Sequence, residues 1–239
     1  LLLHLQEELS AFSMKMAGID GAPDISRPVS MELDSDLIVL EATRHHPKDL
    51  YEPNEPLPYQ EKHEDKVNEF LALLNLDVHV DTRQIGRYKQ VAISRGFTGW
   101  GMANVLGSGA GQYSTVAQVG TGTTQLLPIL DAMADGIHNF LCIKEPESNL
   151  HPGLQCRLMC LMAATKNFVA ETHSENMVLT LLSLIRRGEG SNESVGIIYV
   201  DHVNGKSTIT DLSPTEDGRF SNEWPHGFFP EKIEIMGLS

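Results

Sequence analysis

No apolar run in this chain approaches the roughly 20 residues a helix needs to cross a bilayer, and charge or amide groups break every long apolar stretch within one or two helical turns. A membrane-spanning helix is therefore not expected, and no signal-peptide pattern opens the sequence. Cysteine is scarce. Cys142, Cys156 and Cys160 are an odd number at dispersed positions, which argues against a disulfide framework and for a reducing, cytoplasmic setting. Zinc would want a cleaner ligand set, so these thiols read as core residues. Basic residues are few as well: 18 lysines and arginines against 32 acids give a formal charge of −14. Such a surface repels a phosphate backbone. A broad nucleic-acid-binding face is not expected here, which leaves a local basic cluster or a partner chain as routes to DNA.

What is present is enough apolar sequence, 41% of 239 residues, to bury one large domain or a domain with an appendage. The opening LLLHLQEELSAF is helix-like through residue 17, without an initiator methionine, and reads as part of a longer protein. Gly18 to Pro28 reads as a loop. Asp36–Ala42 (DLIVLEA) has the length and branching of a buried strand. Arg44-His45-His46 then reads as a solvated turn, with phosphate contact as the alternative, and the proline-rich stretch to Pro58 must be irregular. Glu61 to Leu74 is an expected helix with Val67, Phe70, Leu71 and Leu74 on one side. Residues 76–116 alternate short strand patterns (VHVDT, YKQVAIS) with glycine-rich turns.

From Val119 the pattern is regular. Expected helices at 123–135, 152–165 and 175–187 alternate with expected strands at 139–144, 167–171 and 195–200. This alternation predicts an α/β fold, a mainly parallel sheet flanked by helices. A further strand is expected from Lys206, then a loop holding Trp224 to Phe229.

Three segments carry chemistry. In VGTGTTQLLPIL, Val119 to Leu130, Gly120 and Gly122 allow close backbone approach, and Thr121, Thr123 or Thr124 can cap the following helix, with Pro128 placed in its first turn. A glycine-threonine turn at a helix start is an anion site, or simply a capped helix after a flexible loop. In CIKEPESNLHP, Cys142 to Pro152, Pro146 stops the strand and holds Glu145 at its tip as a candidate general base. His151-Pro152 then starts a helix with proline at its first position. In FVAETHSEN, Phe168 to Asn176, the strand ends before His173, and Ser174 is a good N-cap. There His173 could donate to a phosphate oxygen, although a lone histidine is commonly structural.

In this order the three segments resemble the C-terminal lobe of an ABC-type ATPase head of the SMC/RecF/OLD-like group, in particular AAA-family ATPases with a DUF3696 tail. Their patterns are VGxGxSQxLPxL, EPExHLHPxxQ and ETHSxxxxxxL. The resemblance covers residues 113–188, and extends to LEATRHHP and to the ending NEWPHGFF. It implies that Gly120, Gly122, Thr124 and Gln125 form the signature motif and Phe140–Glu145 the Walker B strand, with Glu145 the catalytic base. Ser148 and Asn149 would lie in the D-loop, and His173 would be the switch histidine. It implies ATP and Mg²⁺ as cofactors, and self-association as a dimer or higher oligomer that sandwiches ATP. An effector partner such as a nuclease or toxin, in bacterial anti-phage defence, is also implied.

The implied layout has four parts. Residues 1–30 end a helical appendage, 31–112 join it to the head, 113–203 form the core lobe, and 204–239 are a DUF3696-like tail.

Two departures qualify this. Lys144 stands where the resemblance expects an acid that helps hold Mg²⁺, and a protonated lysine cannot ligate a cation; Glu147 is the candidate to compensate. No GxxxxGK[ST] loop occurs in the sequence, and Val203-Asn204-Gly205-Lys206-Ser207-Thr208 lacks the leading glycine and reads as a hairpin turn. The alternatives are a catalytically weak nucleotide-binding scaffold or sensor, or an OLD-type nuclease whose site lies elsewhere. Tyr199-Val200-Asp201-His202 supplies only one of the clustered acids a nuclease needs.

Overall fold

A stretch of four apolar residues, Leu37–Leu40 (β1), opens the part of the chain that the computed structural model describes, which comprises residues 37–42, 44, 47–95, 113–138, 140–203 and 206–223. All of them fall in one compact unit, Leu37–Ser239. The expected N-terminal helix and loop, His45, His46, the glycines from Gly99 to Gly111 and the loop at Trp224 lie outside the described residues.

After the irregular proline-rich stretch, a 3₁₀ turn Glu61–His63 leads into the helix Glu64–Leu73 (α1). Its face of Val67, Phe70 and Leu71 is buried, with Leu74 just beyond it, as the helical spacing predicts. Strands Val78–Ile85 (β2), Tyr88–Arg95 (β3) and Tyr113–Thr115 (β4) form an antiparallel sheet in the order β2-β3-β4. The α1 side chain of Asn68 clasps β2: its Nδ2 donates to Val80 O (2.9 Å) and its Oδ1 accepts from Val80 N (2.8 Å).

The remaining elements are helix Thr121–Ala134 (α2), strand Phe140–Lys144 (β5), helix Pro152–Thr165 (α3), strand Asn167–Glu171 (β6), helix Glu175–Arg186 (α4) and strands Ile198–Val203 (β7) and Lys206–Asp211 (β8). Strands β1, β5 and β6 make the expected parallel sheet, with β5 in the middle. Its register places Ile38 beside Leu141 and Phe168, and Leu40 beside Ile143 and Ala170. That face packs into the main core with Leu126, Leu127 and Leu130 of α2 and Leu158 and Met162 of α3. On the opposite face Val169 is 57% exposed. A parallel register puts the carboxyl ends of all three strands on one edge, where α/β folds place their sites.

Two expectations change. The strand foreseen at 195–200 runs from Ile198 to Val203 and pairs with β8 in the hairpin expected there, but the two form a separate antiparallel sheet and do not join the parallel one. Val203 faces Lys206 across two intervening residues, the spacing of a tight hairpin that satisfies β7 locally. Pro128 lies inside α2 and not in its first turn, because the helix already begins at Thr121. An interior proline costs about 3 kcal/mol or more. Burial of Leu126, Leu127, Ile129, Leu130 and Met133 around it offsets that cost and carries the helix on to Ala134.

Candidate functional site

Glu145 follows the last residue of β5 and has a left-handed backbone, φ 46°. A non-glycine residue there carries about 1–3 kcal/mol of strain and persists only where its surroundings fix it. They do so here. Its N–H donates to Glu171 O at the tip of β6 (2.8 Å), and its carbonyl accepts from Ser148 N (3.0 Å) and Arg44 Nη2 (2.7 Å). The Ser148 hydroxyl donates to its carboxylate Oε2 at 2.9 Å. Buried Pro146 follows, and a second left-handed residue, Asn149 (φ 63°), closes the turn before buried Leu150.

Glu147 binds this loop to the neighbouring strand tip. Its Oε2 accepts from the Thr172 hydroxyl (2.8 Å) and its Oε1 from His173 N (2.7 Å). Thr172 Oγ1 accepts in turn from Ser174 N at 3.0 Å. Ser174 caps α4 as expected, accepting from Met177 N (3.3 Å), while its hydroxyl donates to Gln155 Oε1 (2.6 Å). Gln155 on α3 completes the chain by donating to Leu150 O (2.9 Å). The His173 backbone is therefore tethered, and the residue is exposed.

The first turn of α2 meets the same loop. A β-carbon on Gly122 would lie 2.6 Å from Asn149 O, so only glycine allows this approach. Gly120 is different: a β-carbon there meets nothing within 4 Å. It is the N-cap of α2, and no side chain caps the helix, contrary to the expected threonine cap. Thr124 is buried and its hydroxyl instead donates back to Thr121 O (2.8 Å). An uncapped helix start with its dipole unopposed has the chemistry to receive a phosphate. Asp131, in the body of α2, accepts from Gln60 N and His63 Nδ1, both at 2.8 Å, which docks the start of α1 against it.

Arg44 is not the solvated turn the sequence predicts. Its N–H donates to Gln125 Oε1 on α2 (3.1 Å), and its Nη2 donates to Lys144 O (2.6 Å) as well as to Glu145 O. Burial pulls its guanidinium below the ordinary arginine range, against the opposing fields of Glu147 and Glu145. The reason is topological: β1 lies parallel to β5, so the chain leaving β1 passes beside the β5 tip.

The sequence residues Glu145, Ser148, Asn149, His173, Gly122 and Gln125 are thus joined in one connected cluster. Sequence reasoning missed Arg44 and the linking roles of Glu147, Thr172 and Gln155. An isolated cation four residues beyond a buried strand was the available signal for Arg44.

Lys144 is exposed and its Nζ lies 3.7 Å from Glu171 Oε2, its register partner. Each oxygen of Glu147 accepts one hydrogen bond, which leaves a lone pair on each. Among the described residues, no group of three or more His, Cys, Asp and Glu side chains could hold a metal. Mg²⁺ at a nucleotide site is held by one or two carboxylates together with phosphates and waters, and Glu145 and Glu147 are the carboxylates at this strand tip. The three cysteines are free, and burial pushes the Cys142 and Cys160 thiols upward, away from reactivity. No helix among the described residues is long and apolar enough to cross a membrane.

Residues 46–179 match a protein family described as "AAA domain, putative AbiEii toxin, Type IV TA system". No curated protein matches the chain. Solved structures similar to it include SMC ATPases and their head domains. One is an SMC ATPase described for ATP-driven dimerization and DNA-stimulated activation, with 11% identity and a TM-score of 0.46 over 73% of this chain and 89% of that one. Another is the Smc head with an extended coiled coil from Pyrococcus furiosus, bound to the C-terminal domain of ScpA, with 11% identity and a TM-score of 0.43 over 73% of this chain and 37% of that one. The SMC head domain from Thermotoga maritima gives 16% identity and a TM-score of 0.40 over 64% of this chain and 48% of that one.

Proposed function

Because the chain belongs to this AAA-domain family, whose match spans more than half of its 239 residues, we propose that it is the ATP-hydrolysing part of an ABC-type head with Glu145 as the general base. The observation that carries this reading is the over-determined strand tip. A carboxylate is held by its own backbone and by Ser148 at the edge of a parallel sheet, beside the uncapped start of α2. In the proposed reaction Glu145 takes a proton from water as the water oxygen attacks the terminal phosphorus, and the bond to the ADP oxygen breaks. His173 donates to the terminal phosphate, while Gly120, Gly122, Thr124 and Gln125 shape the turn that meets phosphate. Mg²⁺ bound with the nucleotide would neutralise charge on its phosphates, with Glu147 the candidate among these residues to help hold it.

Self-association around ATP, with the α2 turn facing a nucleotide on a second copy, completes the proposal. So does control of an effector such as a nuclease or toxin in anti-phage defence, within an OLD-like, DUF3696-bearing protein. The family's own description as a toxin supports an effector setting of this kind.

A second reading, a nucleotide-binding scaffold or sensor, is favoured by Lys144 at the strand end. Steady-state ATP turnover of the full-length protein separates the two. Under the first reading Glu145→Gln lowers kcat about 100-fold or more, the range for removing a general base. An unchanged rate in that variant sinks the base assignment. A silent wild type whose turnover is restored by Lys144→Asp establishes the scaffold reading instead.

A further inference from the structure

The loop that carries Glu145 and the helix that carries the glycine turn come from chain segments on either side of residue 135, yet one residue belongs to neither and bonds to both, to the loop through its side chain and to the helix through its backbone. We propose that Arg44 is a positioning residue that locks the left-handed Glu145 peptide to the first turns of α2, through its Nη2 bonds to Lys144 O and Glu145 O and its backbone N–H bond to Gln125.

Three observations carry this. First, Nη2 sits within 2.7 Å of two consecutive carbonyls, those of the two peptide planes that meet at the Glu145 α-carbon, so it fixes the orientation of one plane relative to the other. Second, the Glu145 carbonyl already accepts from Ser148 N, and the added charged donor stabilises a conformation that an L-residue disfavours. Third, Nε of Arg44 is buried without a hydrogen-bond partner. A donor left unsatisfied is a cost to folding, set against two short Nη2 contacts at the strand tip and a longer Nη1 bond to Ala42 O (3.3 Å). Glu145 and Glu147 bias it toward that seat electrostatically. Arg44 touches no reacting atom in this scheme. It acts by keeping the base aimed while α2 carries the phosphate-facing turn.

The catalytic half of this inference rests on Glu145 being the base; the structural half does not. Amide hydrogen exchange and ATP kinetics on full-length wild type, Arg44→Lys and Arg44→Ala therefore test it together. Exchange at the Glu145 and Ser148 amides is expected to accelerate about tenfold or more in Arg44→Lys, as for loss of a charge-assisted hydrogen bond. The amides of α3 should stay unchanged. Unmoved exchange at Glu145 and Ser148 overturns the proposal. In turnover, kcat is expected to fall at least about tenfold with KM for ATP unchanged, and added guanidinium should restore part of the rate of Arg44→Ala. A rise in KM with kcat unchanged overturns positioning and makes Arg44 a ligand contact.

Should both Arg44 variants fail to fold, Gln125→Ala removes the acceptor on α2, and the same two amides are expected to loosen about threefold; no change there is equally fatal. If wild type hydrolyses no ATP and Glu145→Gln changes nothing, the ATPase reading falls while the exchange result alone still decides whether Arg44 locks the tip.

Discussion

The loop after β5 and the first turn of α2 touch at Asn149 and Gly122, yet they are built in opposite ways. The loop is crowded with directed bonds. Ser148 holds the Glu145 carboxylate, Glu147 holds Thr172 and His173, and Arg44 grips two carbonyls. The turn has no side-chain cap at all, and its closest constraint is steric, the 2.6 Å that leaves no room for a β-carbon on Gly122. One region is fixed by what it contains and the other by what it leaves out. This division suits a site where one side must aim a proton acceptor and the other must stay open to an anion. Its two glycines also separate by role: Gly122 is demanded by packing, whereas Gly120 has open space around it and no positive φ to explain it.

The contrast can be broken most forcefully at the contact itself. Gly122→Ala drives a methyl into the Asn149 carbonyl. Overpacking against backbone exceeds the helix-propensity gain of alanine, so a net loss of about 1–2 kcal/mol is expected in urea unfolding, together with a fall in turnover. An alanine variant as stable and as active as wild type would show that the two regions do not press on each other. On the bonded side, Glu147→Gln keeps the shape but replaces one carboxylate oxygen with a donor. It should cost about 0.5–1.5 kcal/mol and speed amide exchange at His173; an unaltered His173 amide would cut the link between the two strand tips. On the open side, Gly120→Asp supplies the missing cap. Only a few tenths of a kcal/mol of added stability are expected, but the new charge should weaken nucleotide binding several-fold as measured by equilibrium titration. Equal or tighter binding would mean that phosphate does not approach α2 from its start.

The parallel part of the fold was legible because its signals are local. Apolar runs of four or five residues ended by Pro146 or Thr172, a His151-Pro152 helix start and a Ser174 cap each act within one turn, and α3 runs from Pro152 to Thr165 as foreseen. The extent of the sheet was less legible. Strand 198–203 has the same pattern as β5 and β6, and only its hairpin pairing with β8 distinguishes it. The site was legible where residues adjoin, as in Glu145 and Ser148. It was illegible where partners are distant: Arg44 and Glu145 are 101 residues apart, and nothing near Arg44 in the chain predicts which tip it reaches. Glu147 shows the same limit. Its charge invited a metal-ligand role, and nothing in its neighbourhood along the chain showed that it also ties the loop to Thr172 and His173 beyond the β6 tip.

The Asn68 clasp on β2 bears on how this protein stays apart from others. β2 is an edge of its sheet among the described residues, and an edge strand offers unpaired N–H and C=O groups to any passing chain. By taking both groups of Val80 with one carboxamide, α1 imitates a neighbouring strand for a single residue. A foreign strand seeking register along β2 meets an occupied position in its middle, and the N–H of Thr82 two residues on is taken by the Glu64 carboxylate of the same helix (2.9 Å), so the edge is shortened without proline or bulge.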